Sequence, residues 1–330
     1  MKNKIFLLIL LSIWIHLNVV SSLAVEKKSS LQMEYLLEKP TWGMIEWNSA
    51  TLPKGFWYVT FELTYLNNGS YFETGKELDY PGGRDSTSYM IDGKFLYGLS
   101  PRLTLGVDIP VVMDQKVDSG LYGKITKVKS GASNVGDVQL LLKYHIFDRY
   151  FWSLSTELGP TLPTGQPYNE VSAKKAGTGD GQTDLNFALK GDILLHEDSF
   201  IKLGLRYTHQ FKREYLNKMQ IIVGPDTIPP GKTIDERLGG IVGTEAGFVK
   251  NFKSFGMEGA LQYNWWQAVK QNDLVVREQA DLYTVSLRVS LGDVTPRKHG
   301  KLDFYLDFPL TGKNAPLTYR LGVSLKSIFR

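Results

Sequence analysis

YMIDGKFLYGLSPRLTLGVDIPVVM, running from Tyr89 to Met113, is the stretch that decides the fold. Tyr89, Ile91, Phe95, Tyr97 and Leu99 alternate with Met90, Asp92, Lys94 and Gly98. After Ser100-Pro101, Leu103, Leu105, Val107, Ile109 and Val111 alternate with Thr104, Gly106 and Asp108. Successive strand side chains point to opposite faces, so each run has one continuous apolar face and one face of charge and glycine. Two such runs around a tight turn form a β-hairpin. The mixed Asp, Lys and Gly face suits water, and the long branched and aromatic face suits lipid. Together they point to a membrane barrel rather than a soluble sandwich.

The same alternation continues in both directions from Gly55 to the end of the chain. One strand precedes the hairpin, with Trp57, Val59, Phe61, Leu63 and Tyr65 on its apolar face. Nine follow it. Their apolar faces start at Val138, Trp152, Leu185, Ile201, Ile241, Met257, Tyr283, Leu302 and Tyr319, and the run from Ile241 to Val249 is rich in glycine. The reading is therefore all-β, a twelve-stranded antiparallel transmembrane barrel, an even number as single-chain outer-membrane barrels have.

The connections alternate in length, as the two ends of such a barrel require. Short ones fall at Ser100-Pro101, Phe147 to Arg149, His196 to Asp198, Asn251 to Ser254 and Asp293 to Gly300. Long ones fall at Asn67 to Ser86, Asp114 to Asn134, Pro163 to Gln182, Lys212 to Glu236 and Ala268 to Gln279. Thr311 to Ala315 is short where a long one is due. With short periplasmic turns, the long loops are extracellular. Pro110, Pro160, Pro163 and Pro309 fall near outer strand ends, where a residue without an N–H is tolerated. Trp57, Tyr97 and Trp152 mark one interfacial girdle, and Tyr65, Tyr89, Tyr207, Trp265 and Tyr319 the other.

The N-terminus carries Lys2 and Lys4, an apolar Ile5 to Val20 and the small-x-small Ser22-Leu23-Ala24. That pattern reads as a signal peptide, residues 1–24, cleaved near Ala24; an uncleaved anchor is the other reading. Its removal takes away two lysines and no acid, lowering the formal charge from +4 to +2. Residues 25–54 lack clean alternation and form either a small plug or a packed periplasmic leader, and residues 55–330 form the barrel. No concentrated basic surface favours nucleic acid. Cysteine is absent, which excludes thiol chemistry and cysteine metal sites.

The runs YGLSPRLTLGVDIPV, NVGDVQLLLKYHIF, ELGPTLPTG and GTGDGQTDLNFALKG resemble the signatures of the outer-membrane transporter-like family named for the meta-pathway of phenol degradation. The resemblance covers roughly residues 55 to 330. It implies a barrel through which small, often hydrophobic or aromatic, compounds cross the outer membrane. The chain ends on Arg330 after Phe329, whereas barrels of this kind commonly finish on an aromatic.

No GxSxG, HExxH or P-loop is present, so no catalytic residue, metal ligand or cofactor is assigned and the chain is read as a non-enzyme. An outer-surface hydrolase would draw on His209, which has no serine at a telling spacing. The Gly177 to Gly181 run lacks the lysine of a P-loop and the spaced acids of a calcium loop, and reads as a flexible loop. The candidate functional residues are the inward charges: Glu62, Asp92, Lys94, Asp108, Asp137, Lys143, Glu157, Lys190, Asp192, Lys202, Arg206, Glu245, Glu258, Arg288, Asp303, Asp307 and Arg320. On the lipid face a cation near the midplane would cost about 2–4 kcal/mol. They are expected to line the lumen, either pairing to fill it or setting the selectivity of a pore. The expected function is passive or facilitated diffusion of small molecules, with outer-membrane lipids and the barrel-assembly machinery as partners. A closed structural or lipid-interacting barrel is the alternative.

Overall fold

The computed structural model describes residues 49–330 except 80–85, 122–123, 131–133, 150, 167–178, 180, 197, 217–220, 224–225, 229–230, 253–254 and 293–299. The expected signal peptide and nearly all of the 25–54 segment lie outside the described residues. So does the Gly177 to Gly181 run, apart from Gly179 and Gly181.

Twelve antiparallel strands form the wall: β1 (Trp57–Glu73), β2 (Ser86–Ser100), β3 (Leu103–Leu121), β4 (Val138–Arg149), β5 (Trp152–Leu162), β6 (Asp184–His196), β7 (Ser199–Gln210), β8 (Ile241–Asn251), β9 (Phe255–Trp266), β10 (Ala280–Gly292), β11 (Gly300–Lys313) and β12 (Ala315–Phe329). Each pairs with its neighbours in sequence, and β1 pairs with β12 from Trp57 opposite Phe329 to Phe72 opposite Ala315. The sheet is thus a closed barrel without a free edge, and no helix occurs among the described residues. Closure matters because lipid offers no hydrogen-bond partner to an exposed strand edge.

Polarity is inverted relative to a soluble protein. Side chains such as Phe61, Leu205, Leu261 and Leu321 are exposed on the outside, whereas Thr64, Ser155, Asp192, Lys202 and Asp303 are buried. An outer surface this apolar is stable only against lipid. Outward rings pair at two levels, Trp57 with Tyr97 near the short-turn end and Tyr65 with Tyr89 and Tyr263 with Tyr283 near the long-loop end. Arginine in place of Leu205, midway along β7, is expected to destabilise the barrel by about 2–4 kcal/mol in urea unfolding from phospholipid vesicles. An unchanged midpoint would put this face in water.

The strands run further outward than the alternation indicates. Asn67 to Ser86, expected as a loop, is largely sheet. β1 continues to Glu73 and turns back into the strand Lys76–Asp79 through Thr74 and Gly75, both at positive φ. β3 likewise continues into a hairpin with Lys124–Ser130. Beyond the membrane both faces of a strand meet water or protein, so the apolar face disappears while the hydrogen-bond ladder persists. Phe72, Ala280, Leu282, Ala315 and Leu317 pack together at this outer end, with Trp266 against them. A further sheet of Arg213–Leu216, Thr233–Arg237, Val269–Gln271 and Leu274–Arg277 joins two of the long loops. Its interior holds an ion pair between Arg213 and Glu236, and Glu236 accepts a second hydrogen bond from Gln271 at 2.8 Å.

Candidate functional site

The inward charges occupy two tiers. In the lower tier, near the short turns, Lys202 Nζ lies 2.9 Å from Glu258, and Arg288 lies 3.7 Å from Glu258 and 3.9 Å from Asp303. Asp303 is fully buried and also takes Lys326 at 2.5 Å and Lys301 at 3.4 Å. On the other side of the wall, Glu157 takes Lys190 at 2.9 Å and Lys143 at 3.6 Å. Buried charges of this kind persist only when paired and hydrogen-bonded, so these residues brace the inner end of the barrel.

Across this tier lies the chain just before β1. Ser49 N donates to Asp192 Oδ2 at 2.6 Å, Ser49 Oγ reaches Ser153 Oγ at 2.6 Å, and His145 Nδ1 lies 3.3 Å from the Ser49 carbonyl oxygen. Leu52 N donates to Thr104 Oγ1 at 2.8 Å, and Gly55 N donates to Gly98 O at 2.8 Å. Residues 49–56 therefore form a strap running from the start of β1 onto the inner wall at β4, β5 and β6. Gly98 makes the close approach possible, because a Cβ there would stand 2.1 Å from the Pro53 carbonyl oxygen.

The upper tier is looser. Glu62 lies beside Asp92 in register, and Lys94 beside Asp108. Arg320 stands 3.9 Å from Glu62 and 3.8 Å from Asp307, and Asp307 also accepts from Ser286 Oγ. Arg206 Nη2 donates to Asn264 Oδ1 at 2.6 Å, and Glu245 sits on β8 opposite Gly204. Asp137 falls outside the regular strand, at the break before β4, and accepts from Gly165 N at 2.8 Å. Its carboxylate holds the base of the loop after β5.

One device recurs in both tiers. Tyr305 on β11 crosses Gly322 of β12 to donate its hydroxyl to Glu62 on β1 at 2.7 Å. Arg206 on β7 crosses Gly243 of β8 to Asn264 on β9, and Lys202 crosses Gly247 of the same strand to Glu258. In these three cases a long polar side chain reaches the next strand but one because the intervening residue has no side chain. A Cβ at Gly322 would lie 2.3 Å from Tyr305 Cζ, and one at Gly243 2.4 Å from Arg206 Nε.

An outer-membrane channel from Pseudomonas putida F1 shares this architecture at a TM-score of 0.66 and 16% identity, over 85% of this chain and 98% of that one. The likeness is one of fold. The toluene transporter TbuX of Ralstonia pickettii aligns at a TM-score of 0.46 and 11% identity, over 87% of this chain and 93% of that one. The Pseudomonas putida toluene transporter TodX aligns at 0.46 and 9%, over 87% and 92%. No family model matches the chain, and no curated protein matches it in sequence.

Several residues built into this barrel were not singled out as candidates in the sequence reading. Lys301, Lys326, Tyr305 and Asn264 sit on the same inward alternation as Asp303, Arg320 and Glu258, so their position was legible although their partners were not. Ser49 carries no such signal, because it precedes the first strand.

Proposed function

We propose that the protein is a bacterial outer-membrane channel that passes small molecules, including hydrophobic or aromatic ones, by passive or facilitated diffusion. The inverted polarity carries this reading. An apolar exterior belongs in lipid, and the upper tier presents charged side chains to the interior rather than closing it with apolar packing. Membership of the phenol meta-pathway transporter-like family accords with the strand-end motifs quoted above. The signal peptide would direct export, and the barrel-assembly machinery and outer-membrane lipids would be the partners. The inward charges would set selectivity.

The buried lower tier and the strap favour a second reading, a barrel held closed at its periplasmic end. Planar-bilayer recording separates the two. A channel gives discrete conductance steps from the purified full chain, and a stably inserted barrel that stays silent would refute the channel.

A further inference from the structure

Arg206 differs from the other inward-facing arginines. Arg288 and Arg320 each have carboxylates within ion-pair distance. Arg206 has none among the described residues, and its guanidinium is held by the amide oxygen of Asn264 at 2.6 Å. Gly243, its partner in register on β8, leaves the space in which the side chain lies against the wall. An amide carries no net charge, so the clamp fixes the guanidinium without neutralising it. The residue is exposed, and Asn264 occupies one of its five N–H donors.

We propose that Arg206 is a recognition site for a small organic monocarboxylate, which rests on the channel reading given above. A planar guanidinium matches a carboxylate through two parallel N–H···O bonds, and a clamped one loses little freedom in making them. The neighbours narrow the class. Glu245 lies diagonal to Arg206 across the β7–β8 ladder, and Glu62, Asp92, Asp108 and Asp307 belong to the same tier. Their repulsion grows with ligand charge, so a monoanion is accepted where a dianion such as phosphate is disfavoured.

The test is benzoate binding to the detergent-solubilised full chain by saturation-transfer NMR, with benzyl alcohol as the neutral probe and inorganic phosphate as the competing anion. Arg206→Gln is expected to weaken benzoate binding at least about tenfold and to leave benzyl alcohol unaffected. Asn264→Leu, which keeps the charge and removes the clamp, is expected to weaken it about threefold. Phosphate at equal concentration does not displace benzoate. Heat-dependent gel mobility reports whether each variant is folded, and Arg206→Lys together with Asn264→Leu carries the test if Arg206→Gln is not. Lysine, lacking the planar fork, is then expected to bind benzoate more weakly than arginine. A wild type that does not bind benzoate, variants that bind it as tightly as the wild type, or displacement by phosphate overturns the proposal. Arginine-dependent benzoate binding in a protein that passes no solute would refute the channel and leave the carboxylate site standing. Solute passage with benzoate binding indifferent to Arg206 would do the reverse.

Discussion

Alanine at Asp303 is expected to destabilise the barrel by about 3–5 kcal/mol, the largest effect of any single change on the inner wall. The carboxylate is fully buried and stands among Lys326, Lys301 and Arg288. Lys301 and Lys326 face each other in register, and like charges directly opposite destabilise a sheet unless something lies between them. Removing Asp303 takes away the carboxylate that both lysines share, in a site that water reaches poorly. Urea unfolding in phospholipid vesicles measures the loss. A shift below about 1 kcal/mol would mean that these cations are solvated and that the lower tier does not brace the barrel.

Valine at Gly98 should drive the strap off the wall. The groups it would strike are the backbone carbonyls of Leu52 and Pro53, which cannot rotate away as a side chain could. The reciprocal bonds between Gly98 and the chain at Gly55 and Phe56 would be lost with the close approach. Because Ser49 continues from that point onto Asp192 and Ser153, the strap would leave the inner wall, and bilayer conductance is expected to rise at least about twofold. Asp192→Ala frees the same strap from its far end and should act in the same direction. Unchanged conductance in both variants would show that the strap does not obstruct the passage.

The twelve strands were legible in the sequence because each must show lipid on one face and the interior on the other, which imprints a period of two. Trp57 to Tyr65 and Tyr89 to Leu99 carry that imprint. Asn67 to Glu73 and Lys124 to Ser130 do not, because past the membrane the strand environment is no longer two-sided. The partners of the charges were hidden for a different reason. Alternation places Lys202, Glu258 and Gly247 on one face, but which of them meet depends on the register between strands. Register follows from pairings such as Lys202 opposite Gly247 and is not written in any one strand. Arg206 and Asn264 belong to the same case.

The closure of β1 on β12 also bears on how the protein is made. Of the two edges of β1, one is satisfied early by its neighbour β2, but the other waits for a strand formed by residues at the opposite end of the chain. Pairing across so long a sequence separation is slow, and an unsatisfied edge invites association with other chains. The folding sheet therefore carries an open seam beside Trp57 until the fifteen-residue β12 is in place. β12 is the strand that turns a curled, adhesive sheet into a closed barrel.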